Sequence, residues 1–201
     1  MPDHTASLFL VNITDIDLAA YLPWLSKNEV LRYQRFVKRE RQRQFLAGRV
    51  LLRQSLSQLL DVPVSTLQLT ERPGNAPRLD FPACPELGFS LSHSGNWLAC
   101  AVSADSRLGL DIELLNPDRD FSALALQAFD AAENAWLHQQ DAGSRVRDFY
   151  QLWTSKEAHI KLNVASAECL HFQHPELSIT LCSARQFTSP PQLLHIGLSA
   201  E

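Results

Sequence analysis

The run Leu108-Gly109-Leu110-Asp111-Ile112-Glu113 alternates apolar and acidic side chains, and a pleated strand sends alternate residues to opposite faces. Leu108, Leu110 and Ile112 then share one face, while Asp111 and Glu113 share the other, roughly 7 Å apart at ~3.3 Å of rise per residue. Two carboxylates so placed repel one another unless they face water or share a cation. A hard divalent ion such as Mg²⁺ takes one or two carboxylates together with substrate phosphates. Gly109 leaves room for something to approach the backbone closely. A second set lies in Trp153-Thr154-Ser155-Lys156-Glu157-Ala158-His159-Ile160-Lys161. On a helix, Trp153, Glu157 and Lys161 fall on one stripe at four-residue spacing. Val146, Phe149, Tyr150 and Ile160 are near that side, so the stripe borders the core. A third run, Ser92-His93-Ser94-Gly95, sits at a strand end or turn, where hydroxyls and an imidazole suit a phosphate or an adenosine. It is not a hydrolase triad, because adjacent strand residues point apart, and Gly88-Phe89-Ser90-Leu91-Ser92 does not match the G-x-S-x-G elbow. Each feature alone also reads as structure: a strand with a wet face, a surface ion pair, a plain turn.

The elements that must position these residues mix strands and helices in both halves. Ser7 to Ile13 is β-prone. Ser26-x-x-Glu29 has the form of a capping box opening a helix to about Phe36. A longer helix runs from Arg39 to Leu60, with Phe45, Leu46, Val50, Leu52, Leu56 and Leu59 at helical intervals, so one face is buried and the arginines crowd the other. Leu67 to Thr70 reads as a strand, and Arg72-Pro73-Gly74-Asn75-Ala76-Pro77 as a loop. Phe89–Ser92 and Trp97–Ser103 form strands about a hairpin turn. Asp130-x-x-Glu133 is a second capping box, opening a helix to about Gln140, and Ser144 is placed to cap the last long helix, to about Leu162. Two tail strands follow, near Leu177–Cys182 and Leu193–Leu198.

Composition sets the class. The chain has 201 residues, 45% hydrophobic and 20% charged, the balance of a soluble globular protein. No apolar run approaches the roughly 18–20 residues needed to span a bilayer, and the N-terminus lacks a basic stretch ahead of its apolar run, so no secretory signal is expected. Cys84, Cys100, Cys169 and Cys182 are scattered without a C-x-x-C pair, which points to free thiols in a reducing compartment and a cytoplasmic protein. The net charge of −4 is unevenly spread: nine of the eighteen Lys and Arg lie between Lys27 and Arg53 against Glu29 and Glu40. That segment carries +7 and the remainder −11. Such an excess points to a polyanionic partner or a solvated helix face. Without an aromatic ladder, nucleic acid is not the expected partner.

Taken in order, Phe89-Ser-Leu-Ser-His-Ser-Gly95, Leu108-Gly-Leu-Asp-Ile-Glu113 and Trp153-Thr-Ser-Lys-Glu-Ala-His-Ile-Lys161 resemble the signature series of the Sfp-type 4′-phosphopantetheinyl transferases, in the holo-acyl-carrier-protein synthase superfamily. The family pattern of the last two is G-[ILVC]-D-x-E and W-[ST]-x-K-E-[AS]-x-x-K. A looser likeness extends back through Arg32, Arg35-Phe36 and Phe45-Leu-Ala-Gly-Arg49 to Arg53. The resemblance implies an α+β fold of two similar subdomains related by a pseudo-twofold axis, residues 1–105 and 106–201, with the active site between them. It implies transfer of the phosphopantetheine arm of coenzyme A to a serine of an acidic acyl, peptidyl or aryl carrier protein, by a monomer.

By the same resemblance, Asp111, Glu113 and Glu157 hold Mg²⁺, with Mn²⁺ as the alternative ion. Lys161 contacts the phosphate and stabilises or protonates the departing 3′,5′-ADP, and Lys156 touches phosphate or pantetheine. Glu157 is the first candidate for the base that takes the serine proton, and Glu133 the second. The 3′-phosphate and adenine fall to Arg43, Arg49, Arg53, Arg78, Ser92 and His93, with Arg32 further out. Three positions depart from the family. Gln44 stands where an arginine is usual, with Arg43 beside it. Gly74-Asn75-Ala76-Pro77 lacks the basic residue of G-[KR]-P, though Arg72 and Arg78 flank it. Leu162-Asn163-Val164 replaces a glycine-containing stretch near the expected carrier site.

Other chemistries fit less well. A module that binds coenzyme A without turnover would be expected to lose the acidic set first. There is no G-x-x-x-x-G-K-[ST] loop and no kinase signature. Cys169-x-His171-x-x-His174, with Cys182 as an extra thiol, matches no standard zinc spacing.

Overall fold

The computed structural model describes residues 4–72 and 74–198; Pro73 of the expected loop and the first three residues lie outside them. Four layers stack in the order helix, sheet, sheet, helix. The first sheet takes strands β1 (Ser7–Asn12), β4 (Gly88–Ser94), β5 (Trp97–Ser103) and β9 (Gln192–His195) in the order β4-β5-β1-β9. Its neighbours are antiparallel except β1 and β9, which run parallel. The second sheet is antiparallel, in the order β6 (Leu108–Leu114), β8 (Leu177–Ser183), β7 (Glu168–Phe172). A two-stranded ribbon, β2 (Gln68–Thr70) and β3 (Arg78–Phe81), flanks them.

Side-chain alternation explains the stacking. On β1, Phe9 and Val11 join Leu98, Cys100 and Val102 of β5 against helix α2 (Arg39–Leu60). Leu8 and Leu10 point the other way, with Ala99 and Ala101, onto Leu108, Leu110 and Ile112 of β6 and Leu177, Ile179 and Leu181 of β8. Each such fully buried leucine contributes roughly 1.5–3 kcal/mol. The outer face of the second sheet carries Gly109, Asp111 and Glu113 beside Cys182, Thr180 and Ser178. Helix α5 (Arg145–Leu162) covers that face. Thr154 of α5 bonds Ser178 at 3.1 Å and Thr180 at 2.8 Å. A Cβ at Gly109 would collide with the carbonyl of Ala158 and with Leu162. The close approach expected at Gly109 is therefore made by α5.

Several expectations are corrected. Arg49 and Arg53 of α2 are buried, because Glu29 and Glu71 meet them inside the protein. The arginines do not all crowd a solvated face. Helix α1 (Lys27–Gln34) has its capping box but stops two residues short of Phe36. Ser144 stands at the N-cap of α5, yet its hydroxyl donates to the Asp141 carbonyl instead of capping. The tail strand ends at His195. Helix α3 (Phe121–Ala128), capped by Asp120, and strands β3 and β7 were not anticipated; α4 (Ala131–Gln139) was, with its capping box. The four cysteines are not all free: β7 and β8 set Cys169 opposite Cys182, and the two are joined as a disulfide. Direct cross-strand partners are close enough for that bond. Cys84 and Cys100 are free. Among the described residues no helix is long and apolar enough to cross a membrane.

Candidate active site

The site forms where the edge of the first sheet meets the edge of the second. Strand β4 carries serines at alternate positions, and their hydroxyls accept the backbone N–H groups of β6: Leu110 to Ser90 at 2.9 Å, Ile112 to Ser92 at 3.3 Å, Leu114 to Ser94 at 3.0 Å. This row of hydroxyls sets the register between the sheets. It also brings Ser92 Oγ to donate to Asp111 Oδ1 at 2.8 Å and Ser94 Oγ to Glu113 Oε2 at 2.8 Å. The sequence showed the spacing of the three serines but not the strand they would face, so Ser90 and Ser94 went unassigned. Their alternation is the signal that could have found them.

Lys161, on the flank of α5 that faces β6, places Nζ 2.7 Å from Asp111 Oδ1 and 3.0 Å from the Leu110 carbonyl. Asp111 is 5% exposed, and its Oδ2 is buried without a hydrogen-bond partner among the described residues. Burial raises the Glu113 pKa, and the Asp111 charge adds to that rise, against the hydrogen bond from Ser94 and the charges of Arg119 and Lys161. Glu157 is half-buried, and no hydrogen bond or ion pair engages it among the described residues. The three carboxylates are not drawn into one tight group; the set of ligand atoms that all lie within 4.8 Å, among the described residues, is elsewhere.

The remaining expected residues divide by whether a protein partner already holds them. Arg53 makes a two-pronged pair with Glu29, at 3.0 and 2.6 Å. Arg49 bonds Glu71 at 2.8 and 2.5 Å and lies 3.2 Å from Glu29. Arg43 donates to the carbonyls of Ile13 and Ile16. Lys156 pairs with Glu133 at 2.9 Å above the Phe129 ring, while Glu133 also closes its capping box with Asp130. Arg78 is exposed and pairs with Asp80 at 2.7 Å. His93 lies 2.7 Å from Arg41, which also donates to Gln44. Desolvation, with the charges of Arg41 and Lys161, lowers the His93 pKa. Arg41 was missed in the sequence because it sits in a run of alternating arginines, where nothing marks the one that reaches His93.

A cleft of about 1210 Å³ runs from Lys161 past β4 to the β2–β3 ribbon, and Arg32, Arg49, Arg72, Arg78 and Arg107 line it with Lys161. A smaller one of about 170 Å³ holds Ser92, His93, Arg41 and Gln44 and shares Arg32 and Arg49 with the first. A concave surface rich in cations near the buried Asp111 and the half-buried Glu113 and Glu157 suits a phosphate-bearing ligand with a counter-cation.

The family comparisons agree with that chemistry. Residues 13–105 match the profile "4′-phosphopantetheinyl transferase, N-terminal", and residues 107–192 match the "4′-phosphopantetheinyl transferase superfamily". The chain is similar to the 4′-phosphopantetheinyl transferase HetI of Nostoc sp., with 36% identity over 146 residues, 72% of this chain and 60% of HetI. It is similar to AcpT of Salmonella typhimurium, with 30% identity over 168 residues, 77% and 83% of the two chains. It is also similar to Sfp of Bacillus subtilis, with 28% identity over 141 residues, 70% and 61%. The match thus spans about 60% of the length of HetI and of Sfp but most of AcpT. With two adjoining profiles and a relative matched over 83% of its length, the chain belongs to the 4′-phosphopantetheinyl transferase family.

Proposed function

We propose that the chain transfers the 4′-phosphopantetheine group of coenzyme A to a serine of an apo carrier protein, giving holo-carrier and 3′,5′-ADP. The observation that carries this reading is Asp111, with one oxygen held by Ser92 and Lys161 and the other buried and unpartnered. An anionic oxygen buried alone is costly, and a set of carboxylate oxygens suits a hard divalent cation. Asp111, Glu113 and Glu157 would hold Mg²⁺, or Mn²⁺ in its place. When bound, the ion neutralises pyrophosphate charge and polarises the phosphoryl group being transferred.

Glu157, with no competing partner among the described residues, takes the proton of the carrier serine. The serine oxygen bonds to the phosphorus that carries pantetheine, and the bridging bond from that phosphorus to 3′,5′-ADP breaks. Lys161 faces the charge that develops on the leaving phosphate and supplies it a proton. The larger cleft supports binding of the rest of coenzyme A, with Arg32, Arg72, Arg78 and Arg107 towards its phosphates and Ser92 and His93 at the neighbouring end. Arg43, Arg49 and Arg53 act as framework. Glu133 positions Lys156 and is not the base. Arg35, Lys38 and Arg39 are exposed and suit an acidic carrier.

Helices α2 and α5 each cover the outer face of one sheet, which supports two similar subdomains related by a pseudo-twofold axis, 1–105 and 106–201, except that β9 of the second returns to the first sheet; a cytoplasmic monomer completes the reading. The test is intact-mass analysis of apo carrier proteins incubated with the enzyme, coenzyme A and Mg²⁺. A phosphopantetheine gain that disappears with a chelator and in Asp111→Ala supports the reading. Coenzyme A binding with no gain on any carrier would leave a binding module without turnover.

A further inference from the structure

The flank of α5 opposite Lys161 carries a second group of ligating atoms, which the transfer reaction does not use. His159, Cys169 and Cys182 bring one ligand atom each to within 4.8 Å of one another, and among the described residues they are the one such set of three. Each comes from a different element. Cys169 and Cys182 are register partners on β7 and β8, Cys182 lies fully buried under Ala158 and Leu162, and His159 covers the pair from α5 with its ring exposed.

The geometry of the imidazole favours a ligand role. His159 Nδ1 lies 2.9 Å from the Ser155 carbonyl, an oxygen that accepts only, so the ring carries its proton there. That leaves the lone pair on Nε2, 3.7 Å from Cys169 Sγ. A backbone carbonyl on the non-ligating nitrogen is the usual support of a metal-binding histidine. Nδ1 itself is 3.7 Å from both sulfurs. In a tetrahedral zinc site, bonds of ~2.3 Å to sulfur and ~2.0 Å to nitrogen put sulfur and nitrogen roughly 3.6 Å apart and two sulfurs roughly 3.8 Å apart. The spacing from Nε2 to the Cys169 sulfur is therefore already met. The sulfurs, bonded to each other here, must separate, and a turn of the exposed imidazole brings Nε2 to the Cys182 sulfur that Nδ1 now approaches.

We propose that reduction of the Cys169–Cys182 disulfide opens a zinc site made by His159, Cys169 and Cys182, so that the disulfide and the metal are alternative states of one site. A phosphine with water, or a dithiol, supplies two electrons and two protons to the S–S bond; the sulfurs become two thiols, and the reductant leaves as the phosphine oxide or as its own cyclic disulfide. Zinc then displaces the two thiol protons to solvent and bonds both thiolates and His159 Nε2. The fourth position stays open on the exposed side of His159, where water enters. The other histidines of this region are engaged: His171 bonds Thr180 at 2.9 Å, and His174 Nδ1 accepts the N–H groups of Glu176 and Leu177. The ligand histidine thus comes from the helix, not from the Cys169-x-His171-x-x-His174 run that the spacing alone draws attention to. The disulfide ties β7 to β8, and zinc adds α5 to that tie.

The test uses the full chain with Mg²⁺ in excess, so that the carboxylate site is filled by a hard ion. Zn²⁺ is titrated in competition with a chromophoric chelator, and Co²⁺ is added separately to look for thiolate-to-metal charge transfer in the near ultraviolet. Phosphine-reduced protein is expected to take about one Zn²⁺ per chain and to show the cobalt band. Protein with the disulfide intact, verified by mass, is expected to show neither. His159→Ala, at an exposed position, is expected to bind Zn²⁺ about 100-fold more weakly, at least as large a loss as removing a metal-supporting neighbour causes. Cys169→Ser/Cys182→Ser is expected to lose the site, with folding of both variants checked by circular dichroism. Equal binding by the reduced chain and the double serine variant, an absent cobalt band, or unchanged affinity in His159→Ala would each overturn the assignment. None of these readouts depends on transferase activity, so they stand apart from the carrier assay.

Discussion

Two charged regions of this molecule are built on opposite plans. In the first half, Arg49 and Arg53 are buried, and each faces an acid that satisfies it: Arg53 on Glu29, Arg49 on Glu71 with Glu29 near, and Arg32 on Glu71 at 2.5 Å. In the second half, among the described residues, Asp111 is equally buried but keeps one oxygen unpartnered, and Glu157 has no partner. A buried charge costs free energy unless paired. The closed network therefore reads as framework, and the open set as a place kept for a ligand. Charge density alone does not separate the two; the segment with the largest excess of one sign is the one whose buried charges are most fully matched.

That contrast can be broken most sharply at Asp111. Asp111→Ala is expected to lower phosphopantetheine transfer about 10⁴-fold or more, about 5 kcal/mol at 1.36 kcal/mol per decade. Circular dichroism should still report a folded chain. If transfer survives, the open set is not the reaction centre. Arg53→Ala should do the reverse. It strands Glu29 inside the protein and is expected to cost about 3–5 kcal/mol in urea unfolding, with the activity of the folded fraction unchanged. Adding Glu29→Ala to that variant should recover part of the loss, and a purely additive double mutant would mean that the two charges do not act as a pair.

Gly109→Ala tests what holds the open set together. The added methyl meets the Ala158 carbonyl and Leu162, so α5 must lift. The expected cost is about 1–3 kcal/mol, with a fall in kcat because Lys161 moves from Asp111. A thermal melt and steady-state kinetics on the same sample separate the two effects.

The smallest effect is expected at Asp105, where burial raises the pKa but hydrogen bonds to His4 and Ser103 and the charge of Arg185 outweigh it, so the net pKa is lowered. A carboxylate with a lowered folded-state pKa adds stability above the ordinary carboxylate range and loses it as pH falls through the lowered value. Asp105→Asn should therefore unfold earlier in urea than the parent at neutral pH and converge with it in strong acid. A difference that persists in acid would assign the effect to packing instead.

Much of this was legible along the chain. The alternation in Leu108–Glu113 puts both acids on the face opposite the leucines, and the four-residue spacing puts Glu157 and Lys161 on one stripe, because both patterns depend only on local geometry. What lies across from a residue does not. Nothing near Arg53 says that Glu29, 24 positions away, closes on it. Nothing in Ser90-Leu91-Ser92-His93-Ser94 says that β6 will lend its amides to the hydroxyls. The disulfide was hidden because it depends on β7, whose Glu168-Cys169-Leu170-His171-Phe172 offers too few β-branched residues to mark a strand. Helix α3 was hidden for a different reason: Asp120 caps it, but Ala and Leu at five of its eight positions, with only Ser122 and Gln127 polar, leave no periodic polar face.

The parallel pairing of β9 with β1 bears on how the molecule comes together during synthesis. Strand β1 leaves the ribosome before either partner, and β5 can join one side of it about ninety residues later, as the register Ser7 with Val102 requires. Its other side waits for Gln192–His195, after β6, β7, β8 and α5 have all been made. Until then a buried, apolar strand offers an open hydrogen-bonding edge. The nascent chain therefore carries an unpaired strand edge, a place for mispairing, from the docking of β5 until β9 arrives.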